Sequence, residues 1–230
     1  MHLITNRLVE KYLEDDTTKQ RLDKFSDQVP KGYVCEKWLE ETPAKRYIYE
    51  ALYGPLFSRE SNKTILDVGG GLTSLTQVLA KSHNYFLVDL LAHEQIENVK
   101  ALEKSVGREF IIPKDWETLD DRSYNTIIAN DLLPNADQRL EIFLNKFIPR
   151  CSHLKMLLTW YNTPRHYKTK RIDGDEIMFL LAWDGEQTRK VLEPFLPHIV
   201  NPDLGLFDEP QESVYPNGRQ TCLIEFQGGI

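Results

Sequence analysis

The stretch that most constrains this chain is Asp67-Val68-Gly69-Gly70-Gly71-Leu72-Thr73. It continues directly from Thr64-Ile65-Leu66, a short apolar pattern of the kind found in strands buried on both faces. Glycines at 69 and 71 let a backbone turn sharply and approach a ligand closely, since no Cβ stands in the way. The residues from Thr73 to Lys81 then read as a helix. A buried strand that breaks on three glycines and re-enters as a helix is the first step of a parallel α/β sheet.

The rest of the chain keeps that alternation. Tyr85 to Asp89 reads as a second strand, and Ile96, Val99, Leu102 and Val106 mark an amphipathic helix ended by Gly107. Phe110-Ile111-Ile112 is a third strand and Tyr124 to Ala129 a fourth. Leu140, Phe143, Leu144 and Phe147 line a helix that stops before Pro149, and Leu154 to Tyr161 is a fifth strand. Residues 175–183 and 185–193 read as two helices broken at Asp184-Gly185, and Thr221 to Phe226 as a closing strand. The fold class is therefore α/β, a doubly wound and mostly parallel sheet. Residues 60–230 form it, and residues 1–59 precede it as a helical leader rich in charge. That leader is expected to serve as a lid, as packing or as a dimer surface. Tyr33, Tyr47, Tyr49 and Tyr53 belong to it, with packing the favoured role.

Charge and cysteine usage narrow the function. Lys and Arg number 28 against 35 Asp and Glu, a net charge of −7 that argues against a duplex nucleic-acid partner. Cys35, Cys151 and Cys222 are scattered and read as reduced thiols, and no histidine spacing suggests a metal centre. No apolar run approaches the roughly 18 residues of a membrane span, and the charged N-terminus does not look like a signal peptide. The expectation is a cytoplasmic protein with neither membrane nor metal partner.

Ligands of such sheets lie beyond the carboxyl ends of the strands. Three aspartates mark that edge. Asp67 at the end of the first strand is a poor neighbour for a pyrophosphate and a good one for a cation. Asp89 at the end of the second can accept both hydroxyls of a ribose, and Asp115 after the third can take an exocyclic amine while Trp116 packs on a ring. Each residue also has a plain structural role open to it, as a cap, a turn or a core aromatic.

Asp67-Val68-Gly69-Gly70-Gly71, Val88-Asp89-Leu90 and Lys114-Asp115-Trp116, in this order, resemble the class I S-adenosylmethionine-dependent methyltransferases, and small-molecule O-methyltransferases in particular. The resemblance spans about residues 60–161 by motif. It implies a Rossmann-like sheet of seven strands and S-adenosyl-L-methionine as cofactor. It places Asp67, Gly69, Gly70 and Gly71 at the methionine end of that cofactor, Asp89 and Leu90 at the ribose, and Asp115 and Trp116 at the adenine, with Asn130 also in contact. Two departures stand out. Thr73 replaces a small glycine of the family's loop, and Asn130-Asp131-Leu132-Leu133-Pro134 is not the motif of enzymes that methylate exocyclic amines of bases.

The acceptor end is less defined. His166 is the natural base by its ordinary pKa, and Asp131 is a second catalytic candidate. Tyr161, Arg165, Tyr167 and Arg171 are the expected substrate-binding residues, in a basic run that can hold a phosphate or carboxylate. The function expected is methyl transfer to a small polar, anionic acceptor such as a sugar or metabolite, at oxygen, with a homodimer as one use of the leader. Methylation of protein or RNA, and an NAD-linked oxidoreductase, are the alternatives. The latter is disfavoured by Ser74 where a dinucleotide loop has its third glycine.

Overall fold

The structure is a computed structural model and describes residues 1–25, 32–58, 62–91, 94–170 and 177–230. Its main sheet has seven strands in the order β1-β9-β6-β5-β2-β3-β4. The strands are β1 (His2–Leu3), β2 (Thr64–Val68), β3 (Asn84–Val88), β4 (Ile111–Ile112), β5 (Tyr124–Ala129), β6 (Cys151–Trp160) and β9 (Gln220–Gln227). The pairs from β6 through β4 are parallel, whereas β9 lies antiparallel between β6 and β1.

The strand interior alternates between two apolar layers, as a period of two demands. Leu66, Val88 and Ile127 point into one cluster with Phe143, Phe147 and Leu192, and Ile65, Leu87 and Ile128 into the other with Ile48, Leu75 and Leu102. The first cluster is closed by α7 (Leu140–Phe147) and α8 (Gly185–Leu192), and the second by α5 (Ser74–Ser82) and α6 (Ile96–Val106). The leader helices α1 (Asn6–Leu13), α2 (Thr17–Phe25), α3 (Val34–Glu41) and α4 (Pro43–Tyr53) complete that second layer. Val9, Leu22, Leu39, Ile48 and Leu52 are all buried in it. Tyr33, Tyr49 and Tyr53 are buried with them, while Tyr47 is half-buried.

One expectation is corrected here. The part of 175–183 that the structure describes is not a helix: β8 (Ile177–Ala182) pairs antiparallel with β7 (Arg165–Lys170), which holds the basic run. A short apolar run such as Ile177 to Leu181 has no period that separates helix from strand, and pairing with β7 settles it. The helix over Leu140–Phe147 ends before Pro149 as read, and a 3₁₀ turn (Ile148–Arg150) carries the chain through Pro149 into β6. Pro is tolerated there because a first turn needs no N–H from it.

Candidate functional site

The carboxyl edge of β2 is built on conformations only glycine adopts cheaply. Gly69 has φ 74° and Gly71 φ 68°, both left-handed. Gly70 lies directly over the Asp67 carboxylate, where a Cβ would collide with it. Thr73 then caps α5 with its hydroxyl on the Thr76 N–H, at 3.1 Å, and Thr76 returns a bond to the Thr73 N–H. That reciprocal box explains why threonine stands where the family has a small glycine. The Ser74 N–H donates to the Glu36 carboxylate of α3, so a leader side chain already occupies the positive end of α5.

Asp89 ties the next strand end to this turn. Its carboxylate accepts the Gly71 N–H at 3.2 Å and the Leu91 N–H at 2.8 Å. Leu90 beside it is 65 % exposed, which leaves an apolar face open at the edge.

Two adjoining cavities lie over this edge. The larger, about 790 Å³, is lined by Gly69, Val88, Asp89, Leu90, Asp115, Trp116, Asp131, Leu132 and Arg139, among others. The smaller, about 120 Å³, runs from Gly69, Gly70, Thr73 and Asn130 to Ile48, Tyr49, Leu157 and Tyr215. Cys35, Trp38, Lys45, Gly69 and Asp131 line both. Cys35 packs against Gly71 from the leader side, and burial with the nearby Asp89 charge pushes its thiol up to about 12, so it is an inert wall.

The expected cofactor residues separate in space. Asp89, Leu90, Asp115, Trp116 and Gly69 line the larger cavity, while Gly69, Gly70 and Asn130 line the smaller. Asp67 lines neither. It is buried beneath the turn, where it accepts hydrogen bonds from the hydroxyls of Tyr53, at 3.0 Å, and Tyr85. Burial raises its pKa to about 7 against the help of both hydroxyls, so it is not the fixed anion expected from the sequence. Asp115 faces the cavity but is engaged by Arg139, whose two terminal nitrogens reach its carboxylate at 3.2 and 2.8 Å. The same guanidinium lies 4.5 Å from the Trp116 ring centroid, and the indole N–H donates to Asp137 at 2.7 Å. Trp116 is thereby fixed with one face against Arg139 and an edge on Phe143.

The acceptor-side candidates are redistributed further. His166 is exposed on β7, and neither cavity touches it. Tyr161 is buried, with the Arg165 guanidinium 4.4 Å from its ring centroid. Arg165 donates to the Asn217 carbonyl, and the Tyr167 hydroxyl donates to Asn135 at 3.4 Å; none of these three lines a cavity. Arg171 lies outside the described residues. Asp131 does line both cavities, in the left-handed conformation with φ 55°. Its carboxylate receives both terminal nitrogens of Arg219, at 2.7 and 3.2 Å, and Lys45 Nζ at 3.3 Å. These cations hold its carboxyl below the usual range against a large burial cost, which makes it a weak proton acceptor.

Three residues absent from the sequence reading thus shape the site: Lys45, Arg139 and Arg219. Lys45 shares one face of α4 with Ile48 and Tyr49, at the three- and four-residue spacing of a helix. Arg219 reaches the edge because β9 runs antiparallel, so that its start, Gln220, pairs with Trp160 at the end of β6.

This architecture is a known one. The chain has a Rossmann-like methyltransferase fold. In the solved structure of Burkholderia thailandensis 1,6-didemethyltoxoflavin-N1-methyltransferase, with 1,6-didemethyltoxoflavin and S-adenosylhomocysteine bound, 90 % of the chain aligns with 96 % of this one, at 14 % identity and a TM-score of 0.51. A DhpI–S-adenosylhomocysteine complex aligns over 99 % of this chain and all of its own, at 12 % identity and a TM-score of 0.48. Magnesium protoporphyrin IX methyltransferase from Synechocystis PCC 6803 aligns over 98 % of this chain and 85 % of its own, at 16 % identity and a TM-score of 0.43. By sequence, no family model and no curated protein matches. Within the methyltransferase fold, no group of three or more His, Cys, Asp or Glu among the described residues is arranged to hold a metal ion, and no helix there is long and apolar enough to cross a membrane.

Proposed function

We propose that this protein is an S-adenosylmethionine-dependent methyltransferase acting on a small polar acceptor. The observation that carries the reading is the join between Asp89 and the glycine turn, at the mouth of a cavity that also holds Leu90, Asp115 and Trp116. A carboxylate with two oxygens fits a ribose diol, the exposed Leu90 fits the face of an adenine, and Gly69 and Gly70 leave room for a chain passing between the two cavities. Bound there, the cofactor supplies an electrophilic methyl group on a sulfonium centre. The protein's part is to align it and to exclude water, which the leader helices do by covering the edge with Cys35, Trp38 and Tyr49.

The oxidoreductase alternative fits less well. A dinucleotide rests its pyrophosphate on the N-terminus of the helix after the first strand. Here Glu36 holds that position with a carboxylate, and the Thr73–Thr76 box uses two more of the free N–H groups.

The acceptor enters, in this reading, through the smaller cavity, where Asn130, Tyr49, Tyr215 and Lys45 supply polarity and Ile48 and Leu157 supply apolar wall. A small molecule fits that space, and oxygen is the acceptor atom proposed. Calorimetry with S-adenosylhomocysteine tests the assignment: micromolar binding is expected, and NAD binding in its place would reverse it.

A further inference from the structure

Resting on the cofactor reading above, we propose that Lys45 binds the acceptor as an oxyanion, so that the substrate is a carboxylate or an acidic hydroxyl, an enol or phenol, ionised before it enters. Charge is the first support. Lys45, Asp131 and Arg219 form a cluster of two cations and one carboxylate, each side chain at most 26 % exposed. Arg219 places both terminal nitrogens on Asp131, so the positive charge left over belongs to Lys45. A cluster this enclosed with a residual cation favours an anion beside it.

Position is the second. Lys45 lines both cavities, and its ammonium sits 4.8 Å from the Trp38 ring centroid, at the junction between the glycine turn and the apolar end of the smaller cavity. An anionic oxygen on Lys45 therefore lies beside the path from Gly69 to Leu157, where cofactor and acceptor meet.

The third support is the shortage of proton acceptors among the described residues of the smaller cavity. Among the described residues, no histidine lines either cavity. Burial pushes the Cys35, Tyr49 and Tyr215 protons onto their own atoms, and Asp131 is held ionised by its two cations. Among the described residues, an acceptor that had to lose a proton within the smaller cavity would find no strong base, whereas one that arrives ionised needs none. The step then balances without proton transfer. The acceptor oxygen forms a bond to the methyl carbon, the methyl–sulfur bond breaks, and its electron pair stays on the now neutral sulfur. Lys45 stabilises the ground-state oxyanion and orients it, and the apolar wall strips its water.

The test is binding to protein saturated with S-adenosylhomocysteine, read by calorimetry and by the absorbance of the probe. Benzoate represents the carboxylate and 4-nitrophenol the acidic hydroxyl, with benzamide and 4-nitroanisole as neutral counterparts. One anion should bind at least about tenfold more tightly than its neutral counterpart. For 4-nitrophenol, affinity should rise with pH through the probe's own ionisation. Lys45→Met should lose about tenfold or more, and Lys45→Arg should keep part of the affinity. Whichever anion binds assigns the class. The inference is overturned if neither anion binds, if the neutral probes bind as well, or if Lys45→Met keeps the anion and loses S-adenosylhomocysteine instead, which would give Lys45 to the cofactor's own carboxylate. Failure of wild type to bind S-adenosylhomocysteine at all is a separate result, which removes the cofactor reading and this inference with it.

Discussion

Asp89 accepts the backbone N–H of Gly71 at 3.2 Å, joining the carboxyl end of β3 to the turn that ends β2. One carboxylate thereby sets the shape of the loop and presents its remaining lone pairs to the larger cavity. The two roles are separable. Asp89→Ala removes an acceptor from both Gly71 and Leu91 N–H groups and takes away the partner proposed for the ribose, so S-adenosylhomocysteine affinity should fall by about 10–100-fold. Asp89→Asn retains one oxygen and should fall between the two. Titration calorimetry on the three proteins checks the order, and equal affinities would separate Asp89 from the ligand.

A different outcome is expected for His166. It is exposed on β7 and outside both cavities. His166→Ala should leave unfolding free energy within about 0.5 kcal/mol of wild type, with S-adenosylhomocysteine affinity unchanged. A large loss of transfer rate in this variant, once an acceptor is in hand, would restore it as a base.

What the sequence disclosed follows from how local each cause is. The left-handed turn at Gly69 and Gly71 and the αL end of α6 at Gly107, φ 83°, are written in residues that sit at the feature itself. Asp89 is legible for the same reason, as the acidic residue directly after a short apolar strand. The cation cluster is not local. Arg219 meets Asp131 across 88 positions, through an antiparallel strand whose direction no local pattern records. Glu36 reaches the start of α5 across 38 positions, and Lys45 belongs to a leader helix whose docking face is decided by packing. The fate of Asp67 also escaped the sequence, because Tyr53 and Tyr85 come from α4 and β3 to enclose it.

Asp131 should matter more for folding than for proton transfer. Removing its carboxylate leaves the Arg219 guanidinium 7 % exposed with no counter-charge, and its Nε already lacks a partner. Asp131→Asn should destabilise by about 3 kcal/mol, and Arg219→Met added to it should restore part of that loss. The sign with pH follows from its lowered pKa. The stabilisation is present above the ordinary carboxylate range and is lost as acid protonates the folded carboxyl below that range. Urea unfolding of the single and double variants measures both effects.

Asp67 has the opposite sign, which gives a test free of any ligand. Its folded pKa is raised to about 7 from an ordinary 3.8, because burial costs the ionised form more than two tyrosine hydroxyls return. Between those values the folded state holds a proton that the unfolded state has released, so the carboxyl lowers stability as pH rises from about 4 to about 7 and adds no further change above. Asp67→Asn cannot ionise, and its amide can accept from one tyrosine hydroxyl and donate to the other. The stability of the variant relative to wild type should therefore climb through that window at up to about 1.4 kcal/mol per pH unit and then level. Urea midpoints taken at a series of pH values read the difference directly. A difference that stays flat from pH 4 to 8 would mean that Asp67 is ionised throughout and that the turn above it sits on a fixed negative charge.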